Sequence, residues 1–307
     1  MASLPHRRDV LKAALGGAAA LPFLPSAMAM AKTDLTVQHL GKDIAMISGA
    51  GGNVVVAGAG DELVMVDGGA AAHSHKLLST VGREFGDRKV STLFNTHWHP
   101  DQTGSNLALA KKGATIVSHV NTKLWLSTDI HRPWDGKVFE PLPAEARPTK
   151  TFYERAEMAF GSGKIDYGYM LQAHTDGDIY VYFPEANVLA AGGALTSNHW
   201  PEIDWWTGGW MGGLVEGTET LLQVANADTK IVPADGPVMT RAELEKQSAM
   251  YAKLFVEFRD NLLFKGLSPA EAIAAKPTSG LMPEWGNPDE FVKLTFESYW
   301  GYYAQDA

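Results

Sequence analysis

The segment VSTLFNTHWHPDQTGSN joins an apolar run of strand length to a cluster of side chains that bind metals. His97, His99 and Asp101 occupy alternating positions directly after the predicted strand. Side chains two apart on an extended or turning segment project to the same side, so the two imidazoles and the carboxylate can face one point. Neutral imidazole suits Zn(II), and open α/β folds place their sites at the carboxyl ends of strands. The pattern therefore predicts a metal site at the end of a buried strand.

The predicted elements around this segment alternate between strands and helices. Val54–Val56 and Leu63–Val66 are apolar runs of strand length, and residues 70–86 have the apolar spacing of a helix. Farther along, Ser268-Pro269-Ala270-Glu271 has the residues of a helix start, with a capping Ser, a Pro in first position and a Glu in third. Alternation of this kind favours the α/β fold class. We predict one domain over residues 32–307.

The N-terminal segment has the features of an export signal. Arg7 and Arg8 precede an apolar run at residues 13–24, and Ala27-Met28-Ala29 has the small-x-small form of a signal-peptidase site. RRDVLK resembles the twin-arginine export motif. The alternative is a membrane anchor, but the apolar run is shorter than the roughly 20 residues that a spanning helix needs. We therefore predict that residues 1–31 are a cleaved signal that directs the protein to the periplasm.

The composition limits the kinds of partner and of metal ligand. The net charge is -9, which disfavours a nucleic acid or an anionic membrane surface as a partner. The chain has no cysteine, so disulfides, thiolate metal sites and cysteine nucleophiles are excluded. A metal must therefore be held by His, Asp, Glu or neutral oxygen donors. The predicted partner is a small-molecule substrate, with no nucleic acid and no stable membrane anchor, and the oligomeric state stays open.

The histidine segment resembles the HxHxDH motif of the metallo-β-lactamase superfamily. Two further segments are similar to family motifs: LVMVDGG, an early strand ending in Asp67, and QAHTDGD, which matches the family's GHTPGD and contains His174. The similarity extends over nearly the whole chain after the predicted signal. It implies a four-layer αββα sandwich of the α/β class, with a first metal site formed by His97, His99 and His174.

Three positions depart from the family pattern. Gln102 replaces the last His of the motif, Gly193 stands where the family usually has a bridging Asp, and Asp235 stands where it usually has a second-site His. The complete first site implies one tightly held Zn(II) with its fourth position left for water. Asp101 would orient that water or accept its proton, and the Gln102 amide would contact water or a substrate oxygen. Asp101 and Asp235 would form a weaker second site for a harder ion such as Mg(II), Ca(II) or Mn(II).

A tryptophan-rich segment, NHWPEIDWWTGGWMGG, follows the strand that contains Gly193. Its four indoles provide large apolar surfaces with one donor each, which suits the wall of a substrate pocket. Core packing and a dimer contact are the alternatives. The proline-rich residues 129–148 are predicted to form a long loop and the opposite wall. The tryptophans are Trp200, Trp205, Trp206 and Trp210.

The remaining candidate ligands are predicted to have structural roles. Asp67 would steady the metal loop, Asp178 would accept backbone hydrogen bonds in its turn, and Asp176 would be a solvated turn residue. The other histidines fit no ligand spacing or belong to predicted helix and strand surfaces: His39, His73, His75, His119, His131 and His199.

Three functions are compatible with these patterns. The leading hypothesis is a periplasmic zinc hydrolase that cleaves an ester, lactone or amide bond through metal-bound hydroxide. The alternative is a degenerate member of the superfamily that binds a metal or ligand without hydrolysis, since its second-site ligands have changed. Redox chemistry at iron is disfavoured, because the family members that perform it generally have a carboxylate at the position of Gly193.

Overall fold

Two β-sheets lie at the centre of the protein, whose computed structural model describes residues 34–303. The predicted signal, residues 1–31, lies outside the described residues and stays a prediction. The first sheet has seven strands and the second has five, and in both sheets the order of the strands along the chain is also their order across the sheet. The first sheet contains β1 Thr36–Gly41, β2 Ile44–Ser48, β3 Val54–Ala59, β4 Glu62–Val66, β5 Lys89–Phe94, β6 Thr115–His119 and β9 Lys150–Phe152. The second contains β10 Arg155–Phe160, β11 Gly163–Tyr169, β12 Ile179–Phe183, β13 Val188–Thr196 and β14 Lys230–Asp235; β7 Ile130–His131 and β8 Val138–Phe139 form a separate hairpin.

The inner faces of the two sheets share a single apolar core. Phe94 of the first sheet contacts Tyr167 of the second edge to face, with 4.9 Å between ring centroids. Val64 and Val181 are fully buried in the same cluster. Fully burying a side chain of this size contributes about 1.5–3 kcal/mol each. The sheets are therefore held face to face by apolar packing along their central strands.

Helices cover the outer face of each sheet. The helices are α1 Ser74–Phe85, α2 Pro100–Thr103, α3 Asn106–Ala110, α4 Val120–Trp125, α5 Met211–Val224, α6 Arg241–Val256, α7 Pro269–Ala274 and α8 Asp289–Tyr303. Buried residues of α1 and α3 pack on the first sheet, and those of α5, α6 and α8 pack on the second. The order of layers is helix, sheet, sheet, helix. The predicted four-layer αββα sandwich is confirmed.

The local sequence explains where several elements begin and end. In α1, Leu77, Val81 and Phe85 are buried at helical spacing, and the helix ends at Gly86, whose φ of 73° favours glycine. The predicted start of α7 is confirmed: Ser268 and Glu271 form a reciprocal capping box. The predicted strands at residues 54–56 and 63–66 lie within β3 and β4. In the described part of the chain, no helix has both the length and the apolar character needed to cross a bilayer.

The candidate site lies where strands of the two sheets end. β5 ends at Phe94, just before the histidine segment, and the turn between β11 and β12 carries the third histidine. β13 runs parallel to β14 beside them. Gly192 has a φ of 56°, and a Cβ there would lie 2.7 Å from Cβ of Thr96. Glycine at this position therefore permits the second sheet to approach the strand that leads into the histidine segment.

Candidate metal centre

Three buried imidazoles converge at the edge where the two sheets meet. His97, His99 and His174 are between 2% and 8% exposed, and each offers a nitrogen within 4.8 Å of the other two. The centroids of the three rings are 4.7–4.8 Å apart, with neighbouring rings nearly perpendicular. In the described part of the chain, no other group of three His, Asp or Glu side chains converges in this way. The arrangement is a three-nitrogen cup of the size that surrounds one ion.

Two of the three imidazoles present their second nitrogen to an oxygen outside the cup. His97 Nδ1 lies 3.0 Å from Thr96 Oγ1, whose hydroxyl donates to Asp67 Oδ2 at 2.8 Å. His99 Nε2 lies 3.0 Å from Asp204 Oδ2. These contacts assign the protons to the outer nitrogens and leave Nε2 of His97 and Nδ1 of His99 available for a metal.

Two carboxylates fix the loops that carry the ligands. Asp67 also accepts from the backbone N of Thr96 at 2.8 Å, and burial raises the pKa of Asp67 to about 8. Asp178 accepts from the backbone N of His174 and from that of Thr175, and its Oδ1 lies 3.5 Å from Nδ1 of the His174 ring. Asp67 therefore touches the loop through Thr96, and Asp178 closes its own turn while facing the third ligand.

The electrostatic environment favours neutral rings at two of the three positions. Burial, together with the neighbouring His174, lowers the pKa of His97 and of His99 well below the ordinary value. Burial is the largest effect on His174 and opposes its charge, but Asp178, Glu202 and Asp204 together outweigh it and raise the pKa of that ring. Neutral imidazole is the form that binds metals. Three buried imidazoles, two of them with a hydrogen-bonded outer nitrogen, fit a divalent ion such as Zn(II), and no Asp or Glu of the described residues joins their cluster.

A cavity of 510 Å³ opens beside the three histidines. Asp101 and Gln102 line it, and both come from α2, directly after the ligand His99. Burial raises the pKa of Asp101. The Gln102 side chain is 2% exposed, and its Oε1 has no hydrogen-bond partner within the described residues. A buried acceptor without a partner is costly, so Gln102 is poised to accept a hydrogen bond from water or from a ligand.

Gly193 has a steric reason to lack a side chain. A Cβ at this position would lie 2.3 Å from Nδ1 of His174, well inside van der Waals contact. The buried imidazole therefore occupies the space into which a side chain at position 193 would project.

Asp235 lines the same cavity, but its carboxylate faces another side chain. Its Oδ2 lies 3.4 Å from Nε2 of His199, and its Oδ1 accepts from the backbone N of Gly236 at 2.7 Å. The other ring nitrogen of His199 lies 2.9 Å from the carbonyl oxygen of Trp200. Within the described residues, Asp101 and Asp235 gain no third His, Asp or Glu to make a second cluster. His199, which the sequence assigned no site role, lines the cavity.

The structure does not bring the four tryptophans of the segment 200–210 into the cavity lining. Trp200 stacks on Phe291 of α8 at 4.9 Å, and Trp210 stacks on Tyr302 at 3.7 Å. Trp205 packs at 5.7 Å from Trp134, and Trp206 is 46% exposed. Rings of α8 therefore cover Trp200 and Trp210, and Trp205 packs on the loop before β8. None of the four lies in the wall of the metal cavity, where they were predicted, and Trp200 lines a smaller neighbouring cavity instead.

The segment 129–148 does contribute to the cavity, through the β7–β8 hairpin. Arg132, Lys137 and Phe139 are among its lining residues. Phe139 contacts Trp98, which lies between the ligands His97 and His99, with 5.1 Å between ring centroids. The Arg132 guanidinium donates to Asp135 and Glu202 and lies over the rings of Trp134 and Phe139. The hairpin is thus fixed to the metal loop by aromatic packing.

Several other predicted positions differ in detail from the sequence expectation. Asp176 is half-buried rather than solvated: its Oδ1 accepts from Trp125 Nε1 at 2.6 Å, and burial raises its pKa to about 6. His119 is buried and stacks on Tyr169 at 4.0 Å. His39, His73, His75 and His131 are absent from the cavity lining. Asp204 and Glu202 were not singled out from the sequence. No local pattern marks an acid such as Asp204, whose side chain meets a ligand 105 positions earlier in the chain.

Comparisons with known proteins agree with this geometry. A family model described as the metallo-beta-lactamase superfamily matches residues 48–247. The structure is similar to a metallo-beta-lactamase from Pontibacter korlensis, with a TM-score of 0.57 and 17% identity over 71% of this chain and 99% of that chain. It is also similar to TMB-1 and to the DIM-1 metallo-beta-lactamase, each with a TM-score of 0.56 and 16% identity over 71% of this chain and 97% of the other. At such identities the structural likeness shows the fold, whereas the family match extends over most of the chain. The chain belongs to the metallo-beta-lactamase superfamily.

Proposed function

We propose that the protein is a metal-dependent hydrolase that binds one Zn(II) per chain and cleaves an ester, lactone or amide bond in a small molecule. The observation that carries the proposal is the convergence of His97, His99 and His174 beside an open cavity. Three protein ligands with a position left for water are typical of catalytic rather than structural zinc sites. A bound zinc would supply Lewis acidity and a water with a pKa of about 7.

Asp101 is the proposed proton acceptor. It lines the cavity next to the histidine cup, and burial raises its pKa, which brings its basicity closer to that required near neutral pH. Removal of its carboxylate should lower kcat by about 10²–10⁴-fold, the usual contribution of a positioned acid or base. Asp101→Asn should leave metal content unchanged, because His97, His99 and His174 hold the ion without it.

Gln102 is the proposed contact to the substrate or to the attacking water. Its buried Oε1 lacks a partner within the described residues, and its amide nitrogen can donate to a substrate oxygen. Gly52 provides the space for this amide, since a Cβ there would lie 2.3 Å from Nε2 of Gln102. Gln102 is therefore held against the protein on one side and faces the cavity on the other.

A binding protein without hydrolytic activity is the second candidate. It is favoured by the state of Asp235, whose carboxylate is paired with His199, and by Gly193, where the His174 ring excludes a side chain. A second metal ion would have to break the contact between Asp235 and His199, and it would gain no ligand from position 193. In this case the cavity would hold a ligand over the metal without cleaving it.

One set of measurements separates the two candidates. Zinc per chain is measured by elemental analysis, and hydrolysis is assayed on a panel of esters, lactones and β-lactams, for the native protein and for His97→Ala. The hydrolase proposal predicts about one zinc per native chain, and both zinc and activity lost in the variant. Native protein that retains zinc and cleaves nothing on the panel would reject the hydrolase in favour of the binding protein. Iron in place of zinc would reject the zinc hydrolase and would favour redox chemistry at iron.

We also propose that the protein is exported to the periplasm by its twin-arginine-type N-terminus. The support is the sequence pattern of residues 1–31 alone. Expression of the full chain, followed by fractionation and N-terminal sequencing, should give periplasmic protein that begins near residue 30 or 32. Replacing both Arg7 and Arg8 by Lys should leave the protein in the cytoplasm; unchanged export would contradict the twin-arginine route.

A further inference from the structure

A second, smaller cavity adjoins the metal cavity. It has a volume of 270 Å³, and we call it the aromatic cleft, after the residues of its walls: Trp200, Trp285, Phe291 and Leu294. His199 and Glu202 line both cavities, so these two side chains form the boundary between them. A molecule bound at the metal would therefore lie next to the aromatic cleft, separated from it by these two side chains.

The walls of the aromatic cleft are fixed by packing among its own rings. Trp200 stacks on Phe291 with centroids 4.9 Å apart and meets Trp285 edge to face at 5.4 Å. Phe291 and Leu294 are 2% and 1% exposed. Trp200 Nε1 donates to the carbonyl oxygen of Gly286 at 3.4 Å. Rings restrained in this way lose little conformational freedom when a ligand binds, so the cleft is preorganised.

The size and lining of the cleft fit an aromatic ring. An apolar cavity of about 150 Å³ is enough to bind benzene in an engineered protein. The aromatic cleft is larger, and its apolar side is formed by Trp200, Pro201, Trp285, Phe291 and Leu294, whereas polar side chains form the rest of its lining. Offset stacking and edge-to-face contacts between aromatic rings add about 0.5–1.5 kcal/mol per pair to the effect of burying the area.

The charges at the rim disfavour an anionic group. Glu202 and Glu290 both lie at the cleft. Glu202 is paired with Arg132, whereas no ion pair of Glu290 is found within the described residues. Burial raises the pKa of Glu202, and the negative charge of Glu290, which lines the same cleft, adds to this effect. A carboxylate on the ligand would therefore meet like charge.

We propose that the aromatic cleft binds a part of the substrate remote from the scissile bond, and that it selects an aromatic group that carries no negative charge. The inference rests on the proposed hydrolase function, and it assigns the substrate class of the same site. It identifies Trp285 and Glu290 as specificity-determining residues. Neither touches the three histidines, so both can be changed without altering the metal ligands.

Two series of substrates test the proposal on the zinc-loaded protein. One series varies the acyl group of a methyl ester among acetyl, 3-phenylpropanoyl and 3-(4-carboxyphenyl)propanoyl. The other series varies the alcohol of an acetyl ester among methyl, 2-phenylethyl and 2-(4-carboxyphenyl)ethyl. In one of the two series, kcat/KM should be about tenfold or more higher for the phenyl than for the methyl compound, and the carboxylate should cancel the gain. Equal kcat/KM values for phenyl and methyl compounds in both series would overturn the proposal while leaving the hydrolase intact.

Variants locate the selectivity in the cleft. Trp285→Ala should lower the phenyl-to-methyl ratio, with Trp206→Ala as the matched control, since Trp206 lines neither cavity. Glu290→Lys should raise kcat/KM for the carboxylated substrate by about 3- to 10-fold at low salt and less at high salt. Glu284→Lys, an exposed acid outside the cleft, is its control. The selectivity lies outside the cleft if neither tryptophan variant changes the phenyl-to-methyl ratio of kcat/KM. The same conclusion follows if both lysine variants raise kcat/KM for the carboxylated substrate equally.

The proposal can still be tested if Trp285→Ala does not fold or if the protein cleaves none of the substrates. Circular dichroism checks that Trp285→Ala is folded, and Glu290→Lys, at an exposed position, provides the second route. Absence of turnover with every substrate would reject the proposed function and not the cleft. Crystals soaked with 2-phenylethylamine would then show the ring between Trp285 and Phe291, and an empty cleft in those crystals would overturn the cleft proposal as well.

Discussion

The contact between Asp204 and His99 leads to the sharpest prediction about metal affinity. Asp204 is fully buried, its Oδ2 lies 3.0 Å from His99 Nε2, and its Oδ1 accepts from the backbone N of Thr207 at 3.2 Å. In Asp204→Asn the amide can satisfy only one of these two donors, because its nitrogen donates rather than accepts. The variant keeps the size of the side chain and loses one hydrogen bond to a charged acceptor.

Two independent estimates give the same magnitude for this loss. A hydrogen bond to a charged group contributes about 1.5–3 kcal/mol, which corresponds to about a 10- to 150-fold change in an equilibrium constant, at 1.4 kcal/mol per factor of ten. Loss of an outer partner of a metal-binding histidine typically costs about 10- to 100-fold in metal affinity. We therefore expect the zinc Kd of Asp204→Asn to rise by about 10- to 100-fold.

The assay is a competition titration of metal-free protein against a chromophoric zinc chelator of known affinity. Asp176→Asn is the matched control: it makes the same change in the turn next to His174, but Asp176 contacts Trp125 and no ligand. Its Kd should stay within about threefold of the native value. A folded Asp204→Asn protein with native zinc affinity would refute the view that this carboxylate orients His99.

Three further predictions concern other parts of the site. Gly193→Ala should weaken zinc binding at least as much as Asp204→Asn, because the new Cβ would lie 2.3 Å from a ring nitrogen of a ligand; the same titration checks this, and unaltered affinity would contradict it. The hydrogen bond from His199 to Asp235 raises the pKa of His199 and lowers that of Asp235, so the pair should be fully formed between about pH 4 and 6.5 and weaken as the pH rises through the raised histidine value. Histidine resonances followed by NMR should show the His199 pKa fall in Asp235→Asn, and an unmoved titration would exclude the ion pair. Trp98→Ala should lower the free energy of unfolding by about 3–5 kcal/mol in denaturant titrations, because the side chain is 2% exposed, whereas Trp206→Ala, at 46% exposure, should change it far less; equal losses would argue against the packing role of Trp98.

The parts of the site that the sequence predicted are those encoded by local pattern. His97 and His99 follow a strand directly, and the strand fixes where they point. The capping box at Ser268 and the buried stripe of α1 are also local, and both occur in the structure as predicted. His174 was placed through the family resemblance rather than through its own spacing.

The parts that the sequence did not predict depend on contacts between distant segments. Asp204 meets His99 across 105 positions, and His199 meets Asp235 only because β13 and β14 run parallel and end side by side. No local pattern marks either pair. The tryptophan segment was placed in the pocket wall because it follows β13, but the direction of its indoles is set by α8, whose rings cover Trp200 and Trp210. Position along the chain indicated neighbourhood but not orientation.

Trp98 links the β7–β8 hairpin, which lines the metal cavity, to the loop that carries His97 and His99. Its backbone separates two ligands, its indole nitrogen donates to Thr207 Oγ1 at 3.0 Å, and its ring carries the β7–β8 hairpin through Phe139. Grafting a different hairpin from a relative, as an engineer would do to change substrate range, would therefore also alter the support of both ligands. We therefore expect the substrate range of this scaffold to evolve through substitutions that preserve the contacts of Trp98 with Thr207 and Phe139. The alternative is that the β7–β8 hairpin and Trp98 change together.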